Sequence, residues 1–312
     1  MSVKKVHVYS SATVANVACG FDILGFAVDQ PGDELIAELS DTPGVRLKKI
    51  HGSDKLPLDS AKNTACVAAQ AFLDHLNYDK GIELELFKKM PLGSGLGSSA
   101  ASSAAGVFAA NVLLGSPLKN SELVQFAMLG EKVACGSAHA DNVAPALLGG
   151  FVLIRSYDPL DIVQIPSPEN LFCSIIHPHI EVRTEDARKI LRKEVSLKLA
   201  IQQWGNIAGL VAGLTMNDYD LIGRSLQDVI IEPERALLIP GFDEIKHSAL
   251  KNGALGCSIS GSGPSIFALS TDAAIADKVA AAMKETITKI GINCDSFVSK
   301  VNSQGTKIIS QG

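Results

Sequence analysis

The chain has 312 residues, 46% of them apolar and 20% charged, and a formal net charge of −5. That is enough apolar material for one large or two medium cores and too much for a disordered chain. The mild acidity and the lack of a long Lys/Arg block exclude a nucleic-acid arm and a basic membrane patch, so neither partner is expected.

Strands are expected first, over KVHVYSS, ELIAELS and VRLKKI, separated by turns at QPGD and DTPG. Asn63 can cap a helix running to about Leu76, with Val67, Ala71 and Phe72 on its apolar face. GIELELFKK alternates as a strand does, and a glycine-rich stretch follows it. Helices are expected over 98–114 and 121–132, then a strand at GGFVLIR. YDPLD (157–161) is a candidate boundary, which gives domains of 1–158 and 159–312. The second half should open on the strand LFCSIIH and carry helices at 184–192, 196–215 and 242–252. GCSISGSGPSIFALS suggests two strands around a glycine turn, followed by a helix over 271–290 and the strand CDSFVSKV. Strands and helices mix without regular βαβ alternation, so the expected class is α+β in two domains.

Six cysteines, Cys19, Cys66, Cys135, Cys173, Cys257 and Cys294, are scattered without CxxC or Cys/His metal spacing. That suits reduced thiols better than a disulfide framework or zinc. MSVKKVHVYSS has no apolar signal-peptide core, and the weakly polar run from Ala100 to Leu114 is too short and too polar to cross a bilayer. A cytoplasmic protein is expected.

The stretch PLGSGLGSSAA, Pro91 to Ala101, joins a strand to a helix start through three glycines. Bare backbone can approach a phosphate closely, and a helix N-terminus adds unpaired N–H groups and partial positive charge. The stretch is no Walker A loop, because Ser98 rather than Lys follows Gly97. It lacks the spacing of the dinucleotide fingerprint and the companion motifs of a protein kinase. A tight strand-to-helix turn under a small-residue helix is an equally good account of it alone.

SSATVANVACGFDILG carries Asn16 and Asp22, whose carboxylate in an apolar setting needs a cationic partner, either a ligand ammonium or a structural Arg. GSAHADNVAPALLGG gathers His139, Asp141 and Asn142; taken alone it is a helix start capped by Asp141 or Asn142. Glu131 stands just upstream as a candidate Mg²⁺ ligand. Arg188 and Arg235 can converge on a carboxylate, with Thr184 near the first. GALGCSISGSGPSIF is a second glycine loop, able to buttress the first loop or approach the phosphates.

Together these segments resemble the GHMP kinases, in an order that runs from about residue 5 to 300. PLGSGLGSSAA is similar to that family's phosphate loop, and GCSISGSGPSIFAL to its C-terminal motif. TVANVACGFDILG, HADNVAPALLGG and EPERALLIPGF look like the members that phosphorylate homoserine. Two departures stand out: Arg183 in VRTEDAR, where a small residue is usual, and Ala18 and Cys19, where many relatives carry Gly and Pro.

The resemblance implies an N-terminal domain with a left-handed βαβ crossover, a ferredoxin-like C-terminal domain and an active site between them. It implies ATP, Mg²⁺ and L-homoserine as ligands, O-phospho-L-homoserine as product in threonine synthesis, and a homodimer. Pro91, Leu92, Gly93, Ser94, Gly95, Leu96, Gly97, Ser98, Ser99, Ala100 and Ala101 would hold the nucleotide, with Asn63 and Lys88 nearby. Ser98 and Glu131 would hold the metal. Asp22 suits the substrate ammonium, and Arg188 and Arg235 its carboxylate. Asn16, His139, Asp141 and Asn142 would orient the hydroxyl and the γ-phosphate, with Thr184 beside them. Whether a general base takes part stays open: no Lys is evident beside Asp141, and a loose transition state needs little early deprotonation.

The same residues weigh against three rivals. Mevalonate has no ammonium for Asp22, and a sugar has no carboxylate for the arginine pair. A non-catalytic sensor should lack the metal ligand or the glycine loop, and both are intact. A serine hydrolase should carry a G-x-S-x-G elbow, which does not occur.

Overall fold

The structure, a computed structural model, describes residues 3–136 and 139–312. The first half builds a sheet from β1 (Lys5–Ala15), β2 (Leu24–Ser40), β3 (Gly44–His51), β4 (Gly81–Phe87), β5 (Phe151–Tyr157) and β6 (Leu160–Ile165). Its order is β1-β2-β4-β3, with the β5–β6 hairpin joined to the start of β2. β3 and β4 are parallel, and the crossover between them carries α1 (Thr64–His75). α2 (Ser98–Leu113), α3 (Asn120–Cys135) and α4 (Ala140–Leu148) complete this half.

α2 is buried on nearly every side, which its alanines and serines permit. At Gly106 a Cβ would lie 2.3 Å from Ala65 O, so glycine sets how closely α1 and α2 pack. Asn63 caps α1 as expected, accepting from Ala65 N and Cys66 N.

The second half carries β7 (Phe172–Pro178), β8 (Gly256–Ile259), β9 (Ile266–Ser270) and β10 (Cys294–Lys300) in the antiparallel order β10-β7-β9-β8. Five helices, α5 (Thr184–Lys189), α6 (Leu197–Met216), α7 (Tyr219–Ser225), α8 (Glu232–Arg235) and α9 (Phe242–Lys251), lie between β7 and β8. α10 (Ala273–Lys289) joins β9 to β10, giving the expected ferredoxin-like strand order. The chain then returns to the first sheet as β11 (Lys307–Gln311), antiparallel to β1.

The sheets share one apolar cluster, in which Phe26 of β2 meets Phe151 of β5 at 4.7 Å and Phe267 of β9 at 5.8 Å between ring centres. Apolar burial of this kind, continuous across the junction, fixes the two halves against each other.

Three expectations change. QPGD is no turn between strands: it lies inside β2, at a register shift between Ser11 and Thr13 of β1 that lets β2 bulge toward the second sheet. There Val28 bridges Val301, and Gln30 N donates to Ser299 Oγ at 2.9 Å. The boundary expected at 158 falls on the turn of the β5–β6 hairpin, both strands of which lie in the first sheet. We propose a division by sheet instead, with β6 and β11 assigned to the first unit. Asp141 is not a helix cap: α4 begins at Ala140 with His139 at the cap position, so Asp141 is carried into the buried first turn. No described helix is long and apolar enough to cross a membrane.

Candidate active site

The glycine stretch forms the floor of a cleft of about 420 Å³ between the two halves. Gly93, Gly95 and Gly97 all adopt positive φ, at 64°, 78° and 65°. At Gly97 a Cβ would meet Thr13 Oγ1 at 2.1 Å, and at Gly95 it would meet Ser260 O at 2.5 Å. Both positions are closed to side chains by conformation and by space. The second glycine loop buttresses the first: Ser260 Oγ donates to Gly95 O at 2.7 Å, and Ser265 N to Ser94 O at 3.2 Å. β1 adds Thr13 N to Leu96 O at 3.1 Å.

Gly97 caps α2 in the left-handed region with no side-chain hydrogen bond, and the first helical bond is Ala101 N to Gly97 O at 2.8 Å. The amides of residues 98–100 precede that bond and give the helix its anion-attracting end. Ser98 Oγ is buried there with no hydrogen-bond partner among the described residues. Ser99 Oγ donates to Glu131 Oε1 at 3.0 Å, so α3 presents its carboxylate at the same place. Leu92, Gly93, Ser94, Gly95, Gly97, Ser98 and Ser99 line the cleft. Leu96 and Ala101 instead pack into the shared core, Ala100 packs into the first-half core, and Pro91 is not in the lining.

Lys88 lies at the cleft edge, but its ammonium is already committed. It is ion-paired to the fully buried Asp33 and donates to Ser98 O and Ser102 Oγ, each at 2.9 Å. Asp33 also accepts from Lys89 N at 2.8 Å and Met90 N at 3.1 Å. Burial pulls the Lys88 ammonium below its ordinary range, while Asp33 and Glu131 oppose that shift. Three acceptors use all three ammonium donors. The expected nucleotide contact through this side chain is therefore replaced by a clamp on the first turn of α2. Asn63 lines the cleft while capping α1.

At the opposite end Asp22, itself at φ 60°, receives both arms of Arg188, at 2.8 and 3.1 Å. The Asp22 amide donates to Asn16 Oδ1 at 3.1 Å, and Asn16 Nδ2 donates to Gly261 O at 2.8 Å. Arg235 donates to that same carbonyl at 2.7 Å and to Ala187 O at 3.3 Å. Both guanidinium groups lie over Phe21, Arg188 at 5.4 Å and Arg235 at 5.0 Å from the ring centre. Burial lowers Arg235 to about 10, with Arg188 adding to the shift. Arg235 still carries its charge at neutral pH, and it meets no carboxylate within ion-pair distance among the described residues.

His139 Nδ1 lies 3.8 Å from Asp22 Oδ1, and burial lowers its pKa, so the neutral ring is favoured. Asp141 is buried, its Oδ1 has no hydrogen-bond partner among the described residues, and burial together with Asp22 and Glu131 raises its carboxyl to about 7. Asn142 Oδ1 accepts from Thr13 Oγ1 at 2.7 Å. Thr184 pairs with Ser262 Oγ at 3.2 Å on the outer lip. Arg183 turns outward toward Glu185, so this departure adds no charge to the cleft.

The same architecture and motif order recur in known proteins. Residues 63–150 match the N-terminal domain of the GHMP kinases, and residues 207–289 match their C-terminal domain. The chain belongs to the GHMP kinase family. Within that family it is 53% identical to the homoserine kinase of Chlorobium phaeobacteroides (strain DSM 266 / SMG 266 / 2430), over 98% of this chain and 100% of that one. It is 39% identical to the homoserine kinase of Xylella fastidiosa (strain M12), over 96% and 93%. The crystal structure of homoserine kinase from Cytophaga hutchinsonii ATCC 33406 superposes with a TM-score of 0.95 at 60% identity, covering 98% of each chain.

In this GHMP kinase the structure brings in residues that the sequence did not single out. Phe21 was passed over as an apolar neighbour of Asp22. Thr13 reads as an ordinary strand residue, and Asp33 lies far from Lys88 in the chain. Tyr157, whose hydroxyl donates to Asp22 O at 2.8 Å, sat inside the supposed domain boundary. Pairing across such separations leaves no local signal, even where the partner, as with Thr13, Phe21 and Ser262, lies inside a motif.

Proposed function

We propose that this GHMP kinase transfers the γ-phosphoryl group of ATP to the side-chain hydroxyl of L-homoserine. The observation that carries the reading is the charge layout at one end of the cleft: a carboxylate paired to one arginine, a second arginine beside it, and a phosphate-suited loop opposite. A small zwitterion with a hydroxyl matches it. Its ammonium suits Asp22, its carboxylate suits Arg188 and Arg235, and its free end extends toward the loop.

The amides of residues 93–100 would hold the triphosphate, as helix N-termini and glycine loops do. The donors also fit Mg²⁺. Ser98 Oγ is buried without a partner among the described residues, and Glu131 supplies a hard oxygen. No group of three or more His, Cys, Asp or Glu residues forms a metal cage among the described residues, which suits an ion that takes few protein oxygens and completes its shell with phosphate and water. Bound there, Mg²⁺ would neutralise charge on the β- and γ-phosphates.

Chemistry then rests on positioning, with Asn16, Asn142 and Thr184 orienting the hydroxyl and the phosphate. The Asp141 carboxylate is suited to receive the hydroxyl proton late in the transfer. Its raised pKa, about 7, lies near the range where a general base works well, and it needs no lysine partner for that role. His139, favoured as the neutral ring, is suited to donate or accept a hydrogen bond without adding charge.

The test is the product. Mass spectrometry and phosphorus NMR after incubation with Mg·ATP and L-homoserine should show a phosphate ester on the side-chain oxygen. Phosphate on any other atom, or none, contradicts the proposal.

A further inference from the structure

Two of the segments that build the substrate end of the cleft share no secondary structure. One is the loop 16–22, which carries Asn16, Phe21 and Asp22. The other is the short helix α8, which ends in Arg235. The loop is unusual backbone: Asn16, Val17 and Ala18 have positive φ at 69°, 43° and 60°, and Asp22 follows at 60°. Such conformations in residues with side chains cost roughly 1–3 kcal/mol each and persist only where the surroundings hold them.

Besides the Phe21–Arg235 contact and the bridge through α5, two polar groups tie the segments together. Gly261 O is the first, accepting from Asn16 Nδ2 at 2.8 Å and from Arg235 at 2.7 Å. The Gln203 side chain is the second. Its amide nitrogen donates to Cys19 O and to Asp228 Oδ1, each at 2.9 Å, and its carbonyl accepts from Val229 N at 3.0 Å. Asp228 in turn anchors the start of α8, accepting from Ile230, Ile231 and Glu232 amides at 2.9–3.0 Å. Gln203 is 6% exposed, sits on the long helix α6, and is not among the residues that line the cleft.

We infer that Gln203 is a positioning residue for the amino-acid substrate. It holds the strained loop and the Asp228-anchored turn at a fixed separation, and so sets the distance between Asp22 and Arg235. The inference rests on the homoserine reading. Removing the amide releases the loop from α8 at the tie that lies outside the cleft lining, while the nucleotide loop, held by β1 and residues 260–265, keeps its own bonds. Misplacement of the substrate end alone follows.

The experiment compares steady-state kinetics of wild type, Gln203→Leu and Asp228→Asn, each with homoserine and with ATP as the varied substrate. Gln203→Leu keeps the bulk and loses the hydrogen bonds. Its KM for homoserine should rise about tenfold or more, since small displacements remote from the reacting atoms have effects of that size or larger. Its KM for ATP should stay within about twofold, because uniform nucleotide binding is untouched. Asp228→Asn retains the oxygen that faces Gln203 and should shift homoserine KM the same way by less. Equal changes in both KM values, or a loss of activity that only follows the folded fraction in a thermal melt, overturn the inference. If Gln203→Leu does not fold, Asp228→Asn decides by the same split. A wild type active on homoserine with an unaltered Gln203→Leu overturns this inference alone; a wild type inactive on homoserine overturns the substrate reading and this inference with it.

Discussion

Arg188 grips both carboxylate oxygens of Asp22, at 2.8 and 3.1 Å. Neither charge therefore faces the cleft uncompensated. A zwitterion can enter such a pair without changing its net charge, ammonium toward Asp22 and carboxylate toward the guanidinium. A ligand with a single charge leaves one partner unmatched. Arg235, the second cation of the proposed clamp, lies buried over Phe21.

Arg235→Ala should therefore weaken homoserine use far more than ATP use. Truncating one partner of a buried charge pair costs roughly 2–5 kcal/mol, to be read here in kcat/KM for homoserine. An unchanged homoserine KM removes Arg235 from the clamp.

Asp141 predicts a pH dependence in activity and in stability. As proton acceptor it acts only when ionised, so kcat should fall as pH drops below about 7. Asp141→Asn should be slow and should lack this limb. A wild-type profile flat from about pH 6 to 9 would instead favour attack without a base. The stability effect runs the other way. The folded value, about 7, lies above the ordinary value of 3.8, so the folded protein holds this proton more tightly. That contribution is fully present below the ordinary value and is lost as pH rises through about 7. Asp141→Asn should therefore melt higher than wild type at pH 8, with the gap closing toward acid pH.

The Asp33–Lys88 pair predicts a fold effect in place of a direct nucleotide effect. Lys88→Met leaves a buried carboxylate without its cation, which typically destabilises by about 3–5 kcal/mol. Denaturant unfolding should show that loss, and Asp33→Asn combined with Lys88→Met should recover part of it. Full stability in Lys88→Met, with weakened ATP binding, would return the lysine to the nucleotide site.

Glu131→Gln should lower kcat and raise the Mg²⁺ concentration needed for half-maximal rate. Loss of outer-shell support alone typically costs about 10–100-fold, and a direct ligand should cost at least that. Wild-type turnover at low Mg²⁺ would take Glu131 out of the metal site.

The sequence carried the glycine loop, the Asn63 cap and the order of the motifs, because each is written in neighbouring residues. Its family resemblance pointed to both ends of the cleft. It did not carry the Lys88 clamp, since Asp33 is set beside Lys88 only by the pairing of β2 with β4. QPGD has the composition of a turn, yet the sheet absorbs it as a bulge whose bonds come from β10 and its end. β11 was missed for another reason: KIISQ is exposed along its whole length and shows no alternation to mark a strand. The cap position lies at His139, two residues before Asp141, which carries Asp141 into the buried first turn, and its raised pKa is a property of that burial.

The most direct test of the central claim is ADP release with Mg·ATP and, in turn, L-homoserine, D-homoserine, L-serine, mevalonate and galactose. Rapid turnover with L-homoserine alone is the expected result: serine holds its hydroxyl one carbon short, mevalonate lacks the ammonium, galactose lacks both charges, and D-homoserine carries the same groups with the opposite hand at Cα, so that its hydroxyl points elsewhere once the ammonium and carboxylate are paired. Rapid turnover with mevalonate or galactose, or no turnover with any acceptor while ATP still raises the melting temperature, would contradict the assignment.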